Sequence, residues 1–151
     1  MAQCLGENVF HYAIFPHQGN EDNYEIFKEA DRFNLPLIAG QAGFGEGWLP
    51  KSLSFFEIDP EDIVLSSLKK SEGDDTIIIR LYNPTTEEIS GKINCFADIK
   101  SAHFTNLNEE IVDSVKPAFC GKIINVCIPG KKIITLAIHC KRENKNISLS
   151  F

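Results

Sequence analysis

From Leu53 onward the chain is a series of short apolar runs, each bounded by residues that favour turns. Runs of about four to eight residues, alternating or continuously apolar and separated by Gly, Pro, Asn and Asp, are typical of strands. No repeated strand–helix unit interrupts the series, so the pattern does not favour a parallel sheet. The spacing predicts an all-β fold, an antiparallel β-sandwich. The predicted strands are Leu53–Ile58, Ile63–Lys69, Thr76–Tyr82, Ile89–Phe96, Ile99–Thr105, Lys122–Ile128 and Lys131–Cys140.

The part of the chain before this series is patterned differently. Val9–Phe15 is predicted as a further strand, which Pro16 ends. Tyr24–Phe33 is predicted as a helix because its apolar residues recur at helical spacing, with Asn20–Asn23 supplying the cap and first-turn acids. Four glycines between positions 40 and 47 predict a flexible loop that ends near Pro50. The loop contains Trp48, the single tryptophan, whose ring is expected either to pack as an anchor or to stack on a sugar.

Length and charge restrict the class of protein. The chain has 151 residues and a net charge of −6, which fits one domain or two very small ones and makes nucleic acid a poor partner. The apolar runs are far shorter than the ~20 residues that span a bilayer, and residues 1–6 lack the features of a signal peptide. We therefore expect no membrane partner. Five cysteines without a C-x-x-C pair predict free thiols, and hence a cytoplasmic location.

Candidate catalytic groups are few. His11 and His17 are the best pair of metal ligands, but they lack a third ligand at suitable spacing, so a structural role is favoured. Carboxylates cluster at 57–62 and 72–75, where paired acids for glycoside cleavage would be sought. Both clusters fall in predicted turns, where acids are usually solvated. Arg80 is a lone charge in an apolar strand, so it either reaches solvent or pairs with an acid at an interface.

Read together, these segments resemble the C-terminal region of glycoside hydrolase family 38 α-mannosidases. The resemblance runs from His11 to Cys140 in the expected order and rests on order and spacing rather than on one motif. The family often has an acid at the position of Asn83, so this chain departs from the family pattern there. The segments that carry the resemblance are His11–Gly19, Phe33–Leu37, Ser54–Ile58, Ile63–Glu72, Ile79–Pro84, Asn106–Glu109, Ile128–Pro129 and Thr135–Leu136.

The resemblance implies a division near Pro50. Residues 1–50 would be the terminal segment of a supersandwich, with the short helix and the glycine-rich loop, and residues 51–151 a small immunoglobulin-like β-sandwich. The family's nucleophile and zinc ligands belong to an upstream catalytic domain, so no catalytic residue, metal ligand or cofactor is assigned to this chain. Its implied partner is that upstream catalytic domain of the same protein, with a homo-oligomer as a further possibility.

Three functions remain open at this point. The leading one is a non-catalytic C-terminal domain that packs on an α-mannosidase catalytic domain and helps to shape the sugar cleft. The second is an independent carbohydrate-binding module, which would contact sugar through Trp48, Tyr82 or Tyr12. The third is a small enzyme of unrelated type that uses His11, His17 and a carboxylate from a loop.

Overall fold

The computed structural model describes residues 6–19, 24–41, 43, 45, 50–112 and 115–141. Within them the chain forms one helix, α1 (Tyr24–Asn34), followed by eight strands. The strands form two four-stranded sheets, sheet A in the order β1-β4-β7-β6 and sheet B in the order β2-β3-β8-β5. All pairings between neighbours are antiparallel. The strands are β1 (Phe56–Asp59), β2 (Val64–Lys70), β3 (Ile77–Tyr82), β4 (Ile89–Cys95), β5 (Ile99–Thr105), β6 (Ala118–Cys120), β7 (Ile123–Ile128) and β8 (Ile133–Cys140).

This architecture confirms the predicted antiparallel sandwich. All seven strands predicted after Leu53 are present with small shifts at their ends, and the predicted helix extends to Asn34. Strand β6 was not predicted, because a strand of three exposed residues gives almost no alternating signal. The expected cap at residues 20–23 and Trp48 lie outside the described residues, as does part of the glycine-rich loop.

The prediction of a strand at Val9–Phe15 is wrong for the structure as described. The segment is assigned to neither helix nor strand. Among the described residues, none forms a backbone pairing with residues 9–15. A strand is defined by the ladder that it shares with a neighbour, so an apolar run without a paired neighbour has no ladder to join.

The core lies between the two sheets. Strands β3 and β8 of sheet B contribute Ile79, Leu81, Leu136 and Ile138, which are all completely buried. They pack against inward-facing residues of sheet A, including Ile93 of β4 and the alternate residues of β7. On β7 the exposed and buried positions alternate strictly, as expected for a strand with one face in water. The buried residues of β7 are Ile124, Val126 and Ile128.

The outer faces of the two sheets differ. Sheet A presents mainly polar side chains, such as Glu57, Lys92 and Asn125, to solvent. Sheet B is partly covered. Near one end α1 packs beside Tyr82, and near the other the segment 106–112 folds back so that the Glu109 carboxylate reaches the Lys69 ammonium at 2.6 Å. These two covering segments create the cavities that are candidate sites.

Candidate functional site

Many of the exposed large apolar side chains among the described residues lie on the segment before the sandwich. We call this surface the N-terminal apolar face. Large apolar side chains here are mostly in solvent: Tyr12 is 87% exposed and Ile14 86%. Helix α1 contains no buried residue although one side of it is apolar. Exposed apolar patches of this kind mark interaction surfaces more often than ordinary surface. The face comprises Val9, Phe10, Tyr12, Ile14, Leu35, Leu37 and Ile38.

A groove of about 700 Å³ runs between the segment 11–15 and α1. Its walls are largely apolar, with Ile14 and Phe15 on one side and Ile26 and Phe33 on the other. His11, Glu29 and Arg32 also line it, and Arg32 pairs with Glu29 within the helix. The groove therefore offers an apolar surface for a protein segment, with an ion pair at its edge.

A ring contact and an ion pair help to attach α1 to the sandwich. The Phe27 ring meets the Tyr82 ring edge to face, with centroids 5.9 Å apart. The Lys28 ammonium donates to the Glu61 carboxylate at 2.5 Å. This hydrogen bond raises the pKa of Lys28 and lowers the pKa of Glu61. The ion pair is exposed and adds little stability by itself, so the ring contact is expected to contribute more than the ion pair.

Packing beside α1 also changes the environment of Tyr82. Burial, with a smaller contribution from the negative charge of Asp31, raises the pKa of the Tyr82 hydroxyl. Tyr82 therefore lies half-buried beside a helix rather than on an open surface. Tyr12, in contrast, lies on the N-terminal apolar face, and Trp48 is outside the described residues. Sugar contact by these three side chains stays a prediction, and no described cavity is lined by both tyrosines.

A second, smaller cavity of about 220 Å³ lies on the outer face of sheet B, under the segment 106–112. We call it the polar pocket. Its lining combines two imidazoles, two carboxylates and several hydroxyls with an apolar floor. Its walls include Asp74, Ser101, His103, Glu109 and His139, and its floor consists of Ile78 and Ala137.

The acid groups of the polar pocket are fixed in place. Asp74 accepts a hydrogen bond from the Thr76 backbone N–H at 2.9 Å. Bonds from the Thr76 hydroxyl and from this N–H lower the pKa of Asp74, so its carboxylate is ionised at neutral pH. Glu109 has φ 67°, an uncommon conformation for a residue other than glycine. Its carboxylate pairs with the Lys69 ammonium, which neutralises that charge.

The two imidazoles meet in the polar pocket through strand pairing. His103 of β5 lies opposite Ala137 of β8, and Ser101 lies opposite His139. Residues opposite each other in a ladder share a face of the sheet, so both imidazoles reach the outer face. The sequence alone indicates no role for either histidine, and it predicts a solvated turn at Asp74, where the structure also has an exposed turn. The signal that relates them is the register of β5 against β8, which sequence periodicity does not fix.

The other candidate residues stack or pair with neighbours in the described part of the chain. Among the described residues, no group of three or more His, Cys, Asp or Glu side chains is placed to hold a metal ion. The His17 ring stacks on Phe15, with centroids 6.2 Å apart. Asp59 pairs with Lys92 across the exposed face of sheet A.

Arg80 lies on the outer face of sheet B, half-buried between β2 and β8. Its Nε donates to the Thr135 hydroxyl at 3.2 Å. Within the described part of the chain, no carboxylate forms an ion pair with it. Arg80 was predicted either to reach solvent or to pair with an acid, and the described residues contain no such acid partner.

Residues 62–136 match the family described as "Glycosyl hydrolases family 38 C-terminal beta sandwich domain". The match includes β2 to β7 and the first half of β8, and so covers most of both sheets. The segment belongs to that domain family. The family resemblance that the sequence carries is confirmed for this sandwich.

A curated relative points in the same direction. The chain is 27% identical over 86 residues to a protein of Halalkalibacterium halodurans named "Putative mannosylglycerate hydrolase". The aligned part is 57% of this chain but 10% of the relative. The chain thus spans about a tenth of the length of the curated relative that it matches. No helix among the described residues has the length and apolar character needed to cross a membrane.

Proposed function

We propose that this chain is the non-catalytic C-terminal sandwich of an α-mannosidase-like glycoside hydrolase of family 38. In this role it packs on the catalytic domain and helps to shape the sugar cleft. The family match supports the assignment to a glycosyl hydrolase domain. The aligned segment is only 10% of the curated relative, and this supports the proposal that the sandwich is attached to a much larger catalytic part.

The observation that carries the proposal is the N-terminal apolar face. Seven large apolar side chains there are at least 72% exposed, and the segment 9–15 has unpaired backbone groups among the described residues. An apolar segment whose backbone groups have no backbone partner among the described residues is suited to adding a strand to the sheet of a partner. Burying its side chains would also gain about 25 cal/mol per Å² of apolar surface.

Zinc and the catalytic carboxylates belong, in this proposal, to the larger partner. The described residues of this chain then contribute packing and cleft shape but no reacting group. The four described cysteines are free. Free thiols fit a protein that functions in the reducing cytoplasm, and we include this location in the proposal.

The first test is enzymatic. The chain on its own should show no turnover of p-nitrophenyl α-mannoside, and added zinc should not create any. The protein purified from the cells that produce it should contain both this sandwich and a family 38 catalytic segment, and should hydrolyse an α-mannoside or mannosylglycerate. Turnover by the 151-residue chain alone would refute the non-catalytic assignment.

The second test concerns the docking surface. Ile14→Glu, introduced into the protein as the cell makes it, should weaken the association with the catalytic segment and lower its activity. The matched control is Ile123→Glu, since Ile123 is an exposed isoleucine on sheet A, outside the N-terminal apolar face. Equal effects of the two substitutions on association would place the docking surface elsewhere.

A further inference from the structure

The polar pocket has a composition that suits one class of small molecule. Its floor is apolar, because Ile78 and Ala137 are buried on the outer face of sheet B. Its rim is polar, with the Asp74 carboxylate, the Ser101 hydroxyl and the imidazoles of His103 and His139. An apolar floor with a few convergent polar groups is typical of sites for small ligands.

We propose that the polar pocket binds a neutral polyhydroxylated molecule of monosaccharide size. A pyranose has an apolar face of C–H groups and an edge of hydroxyls. The face fits the floor of Ile78 and Ala137, and the edge meets the rim. Hydroxyls both donate and accept, so they can satisfy the carboxylate of Asp74 and either tautomer of His103 and His139.

The charge of the polar pocket excludes the main alternatives. None of the described residues that line it is Lys or Arg. The Lys69 ammonium is already paired with Glu109 of the pocket lining. Asp74 is ionised and has no Lys or Arg partner among the described residues, so an anionic ligand such as a phosphate or carboxylate meets repulsion. A metal ion is also disfavoured, since the described residues hold no group of three ligating side chains.

The rim is held in place before any ligand arrives. The β2–β3 turn fixes Asp74 through the Thr76 N–H, and Ser71 closes the turn by donating its N–H to the Thr76 carbonyl at 2.8 Å. On the opposite wall, the Glu109–Lys69 pair ties the segment 106–112 to β2. Fixed groups lose little conformational freedom on binding, which favours recognition of a small ligand.

The polar pocket is separate from the N-terminal apolar face. It shares no lining residue with the groove between the segment 11–15 and α1. Its ligand therefore binds independently of the docking that we propose above, and failure of either proposal leaves the other standing.

The experiment is a titration of the chain with methyl α-D-mannoside, followed by NMR of the histidine ring protons. Two of the four histidines, His103 and His139, line the polar pocket, while His11 and His17 lie on the N-terminal segment and serve as internal controls. We expect saturable shifts at His103 and His139 alone. The dissociation constant should be millimolar, since so small a ligand has few contacts.

Two variants fix the location of binding. Asp74→Asn keeps the acceptor for the Thr76 N–H but removes the charge, and should weaken binding about tenfold. Asp75→Asn is the matched control, because Asp75 lies in the same turn, pairs with Lys70 and does not line the pocket. Ser101→Leu should abolish binding by filling the cavity. Thermal unfolding checks that each variant is folded.

Three outcomes would overturn the proposal. The first is the absence of a saturable shift at His103 and His139. The second is a shift that survives both Asp74→Asn and Ser101→Leu. The third is an equal, saturable response to sodium sulfate as an anionic probe, which would contradict the preference for a neutral ligand.

Discussion

The Asn83 side-chain amide donates a hydrogen bond to the Ile128 carbonyl at 2.9 Å and so joins the β3–β4 turn to the end of β7. The same amide nitrogen donates to the Glu87 carbonyl at 2.7 Å. The Asn83 carbonyl oxygen accepts from both the N–H and the hydroxyl of Thr85. Asn83 is only 1% exposed, so each of these bonds replaces one that water would provide. The position requires two donors and an acceptor on one short side chain.

Asn83→Asp should therefore destabilise the sandwich. A carboxylate donates nothing, so the carbonyls of Glu87 and Ile128 lose a partner and face a buried charge. The expected loss is about 3 kcal/mol of unfolding free energy, to be measured by urea denaturation at neutral pH. Asn125→Asp is the control, since Asn125 is exposed on sheet A and its change should stay within about 0.5 kcal/mol. Equal stability of the two variants would contradict this account of Asn83.

A second close contact ties the β7–β8 turn to the β3–β4 turn. A Cβ atom added at Gly130 would lie 1.9 Å from the Thr86 carbonyl oxygen, which is backbone and has little room to move. The neighbouring Lys131 N–H donates to the Thr85 carbonyl at 2.9 Å, so the two turns are held together.

Gly130→Ala should push these turns apart and lower the unfolding free energy by about 1–3 kcal/mol, seen as a lower thermal midpoint. Gly73→Ala is the matched control. A Cβ atom there meets nothing within 4 Å and the backbone does not require glycine, so the variant should be as stable as the original chain or slightly more. A Gly130→Ala protein with an unchanged midpoint would show that the Thr86 backbone yields easily.

The strands after Leu53 could be predicted because each carries its own signal. On β7 alternate residues are apolar and buried, and turn residues bound the strand on both sides. The segment Val9–Phe15 carries a similar apolar signal, but pairing depends on a neighbour that the segment itself does not encode. The local pattern thus predicts which residues favour a strand, whereas the hydrogen-bonded ladder also requires a neighbouring strand with which to pair.

The polar pocket shows the same limit at the level of a site. Asp74, His103 and His139 come from three separate segments, and none has an unusual sequence context. They converge because β5 pairs with β8 in one register and because the segment 106–112 folds back over sheet B. A shift of β5 by one residue against β8 would turn His103 toward the core while His139 stayed on the outer face. Prediction from sequence would therefore require the register, which is a property of the tertiary structure.

The edge-to-face contact between Phe27 and Tyr82 predicts how α1 is held. Phe27→Ala should loosen the helix from the sandwich, so amide hydrogen exchange in α1 should quicken while exchange in β3 and β8 stays slow. Phe33→Ala is the control within the same helix, because Phe33 lines the groove on the N-terminal apolar face rather than the contact with Tyr82. Release of the helix should also bring the raised pKa of Tyr82 back toward its ordinary value. Unchanged exchange in α1 would mean that contacts other than the Phe27 ring hold the helix on the sandwich.

The buried thiol of Cys95 predicts a loss of stability in alkaline solution. Burial, with a smaller contribution from Cys140, raises the pKa of the Cys95 thiol from an ordinary value near 9.0 to about 11. Between these two values the unfolded chain releases the thiol proton while the folded chain keeps it. Stability is therefore fully present below pH 9 and is lost as pH rises toward 11. Lysines with raised pKa values contribute in the same direction, so the comparison must be with a variant.

Cys95→Ala should have lower stability at neutral pH, because it removes a buried side chain, but a shallower decline between pH 9 and 11. Urea denaturation of both proteins across this range measures the difference. Thiol labelling gives a second reading: the exposed Cys120 and Cys127 should react with Ellman's reagent at pH 8 in the folded protein. Cys95, only 5% exposed, should react at the rate of unfolding. Parallel pH profiles for the two proteins would show that Cys95 ionises as readily in the fold as in the unfolded chain.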